Sequence, residues 1–500
     1  MTDNKVKLKN QVMYGMGDIC GGGVSLLIGM LYLDFLTGPA VELSAKGIIS
    51  AGTVLLIGKV AGGILNILFG YWSDRTRSRF GRRRRYFLWA AAPIFISFAL
   101  MWNPYLVTES AQLSKFFFFM ISYLVYCASF SMAFVNYTSI IPDMTDDYKT
   151  RSSMIGYKTA FGGLSAVASA IVPILLIQNM ESLMLAYTLI GLIYGILYSL
   201  PWIIVFFGTF ERKDIQYPES KLDPIADLRS AFMNKTYRNF MVIWLACNAT
   251  GDFILASAVF YLKFVLLRYD DFVAVVGIIL IINIVTVPIY TKIANLKGKT
   301  MPLKIGGIFI AVGLILSLFL RPDAGQPEYW LYIVIVLAAV GISSANLVPM
   351  SLLQDIADID ELISTKRRGA MFASYASAIR QVMLGLIGFI ISQSLGFSGF
   401  IEGMDWETGV QPDSAILTTR ILFSIMPIIC IAFAYVGAYK YKLSDERHKT
   451  ILAEIERLKA GGKKEDADPA VKNLCEEVSG LPHNLCWNPE NADLKKPEKE

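Results

Sequence analysis

The chain has 500 residues and a net charge of +5, with 54% hydrophobic and only 17% charged residues. A soluble chain of this length carries about a quarter charged residues and divides into several domains. Its apolar residues run through most of the length, which excludes an ordinary soluble protein and predicts extensive lipid-facing surface.

The opening MTDNKVKLKNQ is polar and runs directly into a full apolar span, so no cleavable secretory signal is expected. Spans of about twenty mainly apolar residues are predicted at 11–36, 48–73, 86–106, 116–142, 154–178 and 185–209. The polar stretch ERKDIQYPESKLDPIADLRSAFMNKTYR interrupts the pattern. Six more spans follow near 238–267, 272–292, 303–321, 328–353, 370–397 and 416–441. The expected organisation is an all-α membrane protein: a six-helix bundle (1–209), a cytoplasmic linker (210–237), a second six-helix bundle (238–441) and a cytoplasmic tail (442–500). In the tail, DERHKTILAEIERLKAGG reads as a short amphipathic helix, and the remainder as flexible.

Loop charges orient the chain. Lys5, Lys7 and Lys9, seven arginines between Arg75 and Arg85, Lys149, Arg151, Arg212, Lys213, Lys292, Lys297, Lys299, Lys366, Arg367 and Arg368 fall at the termini and in every second loop. The other loops are poor in Lys and Arg, and one carries the acidic EGMDWE. Cations concentrate on the cytoplasmic side, so both termini are expected there. The arginine cluster lies between apolar spans, which argues against nucleic acid as a partner. Four of the six cysteines (Cys20, Cys127, Cys247, Cys430) fall inside spans; Cys475, Cys486 and His483 lack the fourth ligand and the spacing of a zinc site. No nucleophile–base set and no nucleotide-binding glycine loop is present, so neither catalysis nor an ATP-driven pump is expected.

Ionisable groups in lipid are costly and normally face a protein interior or a wet cavity. Those within the spans are therefore the candidate solute-binding residues: Asp18, Asn136, Tyr137, Lys158, Asn248, Asp252, Arg380 and Gln381. Asp18, Lys59, Asn66 and Asp252 are candidates for cation coupling, because a shielded carboxylate binds a proton more readily than one in water. Asp18 pairing with Lys59 for packing alone is the structural alternative. Two cytoplasmic groups read as gates: Asp74, Arg75 and Arg79 with Asp143 and Arg151, and Asp355 and Asp358 with Arg367 between spans ten and eleven. A faint repeat links the two halves: Gly17-Asp18 and YLDF at 32–35 in span one, Gly251-Asp252 and YLKF at 261–264 in span seven.

Four segments carry a family resemblance: Tyr14-Gly-Met-Gly-Asp18, Asp74-Arg-Thr-Arg-Ser-Arg-Phe-Gly81, Pro142-Asp-Met-Thr-Asp-Asp-Tyr148 with Arg151, and Gln354-Asp-Ile-Ala-Asp358 with Arg367. With Leu443-Ser-Asp-Glu-Arg447 they occur in the order seen in the glycoside–pentoside–hexuronide:cation symporters of the major facilitator superfamily, which the chain resembles. The resemblance implies a rocker-switch transporter with a sugar site between its halves. It also marks departures. The family's sodium-binding aspartates of span two fall on Gly62 and Asn66, its sugar-binding carboxylates on Gly22 and Phe134, and its span-eleven lysine on Gln381; the span-five cation is kept as Lys158. The expectation is therefore a monomeric bacterial inner-membrane transporter of a glycoside, oligosaccharide or sugar acid, coupled to H+ rather than Na+ and using no cofactor. A carrier of an amphipathic lipid or drug, or a transport-dead sensor, is the alternative.

Overall fold

A computed structural model describes residues 6–491 except 77, 79, 146, 213–223, 323–326, 328, 366–367, 406–408, 442 and 489–490. Among the described residues it is all helical. Ten helices are long and apolar enough to cross a bilayer, and Arg84–Met101 and Met301–Ser317 bring the apolar helices to twelve.

In chain order these are α1 (Leu8–Thr37), α2 (Ala51–Arg75), α3 (Arg84–Met101), α4 (Gln112–Ser139), α5 (Tyr148–Asn179) and α6 (Leu183–Gly208). The second set is α7 (Lys235–Val265), α8 (Phe272–Lys297), α9 (Met301–Ser317), α10 (Tyr329–Ser364), α11 (Gly369–Phe397) and α12 (Asp413–Lys440). Two further helices follow, α13 (Asp445–Lys459) and α14 (Pro469–Ser479). The linker holds one helix, Pro224–Met233.

Short polar side chains start these helices by accepting an otherwise unsatisfied N–H. Ser50 accepts from Thr53, Asp147 from Thr150, Ser182 from Leu185, and Asn234 from Tyr237. The arginine-rich start of α3 is capped from a distance. The Glu211 carboxylate accepts the backbone N–H groups of Arg82 and Arg83 at 2.7 Å and of Arg84 at 3.2 Å, which places negative charge at the positive end of the helix. Gly81, at φ +101°, makes the turn, and a Cβ there would strike Glu211.

Three helices widen by one π-turn: α1 at Ile28–Tyr32, α7 at Tyr261–Val265 and α12 at Ile421–Ile425. Where α1 crosses α5 the backbones nearly touch. An added Cβ on Gly22 would collide with the Gly162 carbonyl, which is why glycine is required at this crossing.

The two sets of helices meet along an antiparallel seam of α2 with α11. Gly52 N donates to Ser392 Oγ at 3.0 Å, and further along Gly63 sits against Ala378. The end of the bundle that carries α1's start and α12's finish is here called the terminal end, and the opposite one the far end. At the far end the halves are stitched together. Ser392 Oγ donates to Ala45 O, the Gln393 amide both accepts from and donates to Gly47, Ala45 N donates to Glu402, Gly403 N to Thr37 O, and Gln178 to Tyr269 O.

Two sequence expectations are corrected. Helix α10 does not stop at 353 but continues to Ser364, because residues 355–363 alternate acids with Ile356, Ile359, Leu362 and Ile363 on one buried face. Asp355, Asp358 and Asp360 are thus helical residues and not loop residues. The tail is also ordered well beyond one amphipathic helix. Ile451, Ile455, Leu458, Cys475 and Val478 are buried in the same core as Tyr237, Ile359 and Phe372. Trp487 N and Asn488 N donate to the Leu362 and Ile363 carbonyls, capping the end of α10.

Candidate functional site

The structure sorts the candidate residues into two clusters, one in each half. In the first, Asp18 opens the α-helical segment that follows Gly17 in α1. Lys158 of α5 brings its Nζ to 3.9 Å from Asp18 Oδ1. The same ammonium lies 5.6 Å from the Phe134 ring and 5.3 Å from the Tyr137 ring, within the range of cation–π attraction. Gly162 leaves room for the Asp18 carboxylate, which a Cβ at 162 would strike. The pairing of Asp18 with Lys59 considered from sequence is not formed; Lys158 takes that place.

In the second cluster, Arg380 of α11 bonds Asp252 of α7, Nη2 to Oδ1 at 3.2 Å, and Asp252 Oδ2 has no hydrogen-bond partner. Lys59 of α2 comes from the other half. Its stem lies against α11, where a Cβ at Gly385 would be 2.9 Å from Lys59 Cβ, and it interacts electrostatically with both Asp252 and Arg380. Lys59 also lines a small cavity of about 30 Å3 with Leu33, Leu55, Ala256 and Leu384. Two carboxylates and three cations are thus divided between the halves, and Lys59, Asp252 and Arg380 meet where the halves join.

The amides behave differently. Asn136 is fully buried and donates to Met132 O of its own helix at 2.8 Å, leaving Oδ1 without a partner. Asn248 likewise donates to Trp244 O at 2.7 Å. Tyr137 stacks on Tyr14 at 4.6 Å, its hydroxyl buried and unbonded. Asn66 and Gln381 are half-buried on α2 and α11, and Gln381 Cβ would lie 3.7 Å from a Cβ at Gly63.

The gate candidates pair within their own half. Asp143 accepts from Arg82 at 3.1 Å and Arg83 at 3.0 Å, and Arg151 donates to Thr145 O. Asp355 pairs with Lys299 at 2.6 Å, Asp358 with His448 at 3.0 Å and Asp360 with Arg368 at 2.7 Å. Arg75 lies 4.0 Å from the Tyr71 ring. Asp74 is on the last turn of α2; Arg79 and Arg367 lie outside the described residues.

Two features escaped the sequence reading. One is an aromatic ladder along α4, in which Tyr123, Tyr126, Phe130, Phe134 and Tyr137 follow one another at centroid spacings of 6.4, 6.0, 5.0 and 6.0 Å. Spacings of three and four residues put them on one helix face, so the pattern was present in the sequence. The other is a buried ion pair at the far end: Lys263 Nζ of α7 lies 2.7 and 3.0 Å from the two oxygens of Asp34 of α1. It forms the floor of a cavity of about 460 Å3 also lined by Gln178, Glu181, Asp270 and Phe400.

This arrangement of paired six-helix bundles with charges at their seam is that of a major-facilitator transporter. A family profile described as "MFS/sugar transport protein" matches residues 13–445, and the chain belongs to that family. It is 24% identical to "Uncharacterized symporter YjmB" of Bacillus subtilis (strain 168), covering 91% of this chain and 96% of the relative. It is 22% identical to "Glucuronide carrier protein homolog" of Escherichia coli (strain K12), over 90% and 95%. It is 21% identical to "Sodium-dependent lysophosphatidylcholine symporter 1-A" of Danio rerio, over 90% of each. Among solved structures, a bacterial homolog to the human lysosomal transporter Spinster superposes with a TM-score of 0.61 at 13% identity, over 88% of this chain and 97% of that one, a likeness of fold. The chain is thus a multi-pass membrane transporter of the glycoside–pentoside–hexuronide symporter type.

Proposed function

We propose that this transporter moves a glycoside, oligosaccharide or sugar acid by alternating access, coupled to protons, with both termini in the cytoplasm of a bacterial cell. The observation that carries the reading is the division of charge between the halves: Asp18 with Lys158 in one, Asp252 with Arg380 in the other, and Lys59 of the first half reaching the Asp252–Arg380 pair. Charges that lipid would penalise are collected where a solute bound between two moving halves would meet them. Asp18 and Asp252 have lone pairs for sugar hydroxyls, and Lys158 and Arg380 can hold a carboxylate, the guanidinium in a bidentate fork. Asp252, with one oxygen unbonded, is the proton carrier of this scheme. Gly62, where a cation ligand would be wanted, has no side-chain oxygen to offer sodium.

Uptake into proteoliposomes of a panel of glycosides, uronates and lysolipids, under an imposed proton or sodium gradient, tests the reading. Glycoside or uronate uptake driven by a proton gradient supports it. Sodium-driven uptake overturns the coupling, and no uptake of any solute points to a sensor. Lysolipid uptake would favour an amphipathic solute, a second reading supported by the half-buried, stacked Phe130 and Phe134 rings of α4 and by the name of the Danio rerio relative.

A further inference from the structure

The repeated phrase YLDF in span one and YLKF in span seven differs at one position, and that position is Asp34 in one half and Lys263 in the other. The structure brings those two residues together. Both oxygens of Asp34 receive the Lys263 ammonium, at 2.7 and 3.0 Å, with side-chain exposures of only 5% and 10%. Each lies in or beside the π-turn of its helix. The Tyr187 hydroxyl approaches Asp34 at 3.5 Å, and the Tyr269 ring lies 4.7 Å from the ammonium. The pairs of the two clusters, and those at the terminal end described above, join residues of one half; this pair spans both.

The geometry points to Asp34 and Lys263 as the positioning pair that selects the state of the transporter: equivalent positions of two repeated halves, given opposite charge, whose union holds the far end shut. The inference rests on the alternating-access reading above. Its physical basis is asymmetry. A buried charge without its partner is strongly disfavoured, so the two residues separate only if both become hydrated, and the 460 Å3 cavity directly above them is the space into which water and solute would come. The neutral bonds around them, such as Gln393 to Gly47, involve backbone groups that water satisfies almost as well. The ion pair therefore sets how readily this end opens, although it touches none of the residues assigned to solute.

Ala256, 8% exposed, lines the small cavity beneath the pair and becomes the reporter as Ala256→Cys. An impermeant maleimide is confined to one side of sealed vesicles, each side in turn. From the side that the far end faces, Asp34→Asn or Lys263→Met should raise the labelling rate at least about tenfold. The charge exchange Asp34→Lys with Lys263→Asp should return it to within about threefold of the starting rate. The neutral pair Asp34→Asn with Lys263→Gln, which loses the attraction but strands no charge, should label faster than the starting protein and more slowly than either single variant, and it keeps the test decisive if the exchanged protein does not fold. Unchanged labelling in the single variants or in the neutral pair overturns the proposal. The readout needs no solute, so an empty uptake panel would leave this inference standing, and normal uptake with unchanged labelling would remove it alone.

Discussion

Gly22 of α1 and the Gly162 carbonyl of α5 approach so closely that no side chain fits between them, and the same glycine 162 backs the Asp18 carboxylate. The crossing therefore sets how near Asp18 and Lys158 lie.

From this contact, Gly22→Ala should destabilise the protein by about 1–3 kcal/mol, the usual cost of overpacking where backbone must give way, and should lower the midpoint of thermal unfolding in detergent. Gly156→Ala on the same α5 helix, where an added Cβ meets nothing within 4 Å, should leave the midpoint unchanged or slightly raised, because alanine is the better helix former.

Arg380→Met should reduce uptake by about 10- to 100-fold, equivalent to losing a charge-assisted hydrogen bond of about 1.5–3 kcal/mol. Because the Asp252 carboxylate that Arg380 pairs with is buried, stranding that charge should also lower the unfolding midpoint. Arg380→Lys should not restore uptake, since a point charge lacks the planar fork. Asp252→Asn should retain solute exchange at zero gradient and lose gradient-driven accumulation. Both readings come from vesicle uptake, and accumulation that survives Asp252→Asn ends the assignment of this residue as proton carrier.

Removal of residues 443–500 should lower thermal stability by at least about 2 kcal/mol, because the α10 carbonyls of Leu362 and Ile363 lose their donors at about 1 kcal/mol each and the Asp358–His448 contact goes. Transport per folded molecule should persist. Loss of all transport in a fully folded truncation would show that the tail acts in the cycle.

The Cys475 thiol is pushed up to about 12 by burial, with Cys486, Glu454 and Glu476 nearby adding to the shift. Because the thiolate is the reactive form, its population at pH 7 is negligible and rises only as pH nears that value. Maleimide should therefore leave Cys475 unmodified at pH 7 in the native protein and react once the tail is unfolded, as peptide mass spectrometry would read.

Most of the fold was legible because twelve apolar runs of membrane length leave few alternatives, and the charged residues among them led directly to Asp18, Lys158, Asp252 and Arg380. What stayed hidden depends on partners distant in sequence. Asp34 and Lys263 were visible as an internal repeat, but each sits at the end of a span, where a charge needs no explanation. That they meet is a fact of packing. Asn136 and Asn248 drew attention as polar residues in lipid, yet they satisfy their amides on their own helices four residues back. The length of α10 was missed because acids at 355, 358 and 360 resemble a loop until the tail supplies His448 and two backbone donors to hold them.

The α2–α11 seam has a mechanical corollary. Gly52 and Gly63 on one helix and Gly385 and Gly388 on the other keep side chains from interlocking, so the surfaces are smooth enough to roll on each other. A tilt of about 10° around the midpoint of a helix as long as α2, 25 residues, displaces its tips by roughly 3 Å at 1.5 Å per residue. That is about the width of a water molecule. Little rotation at this bearing would be enough to wet one mouth of the molecule while drying the other.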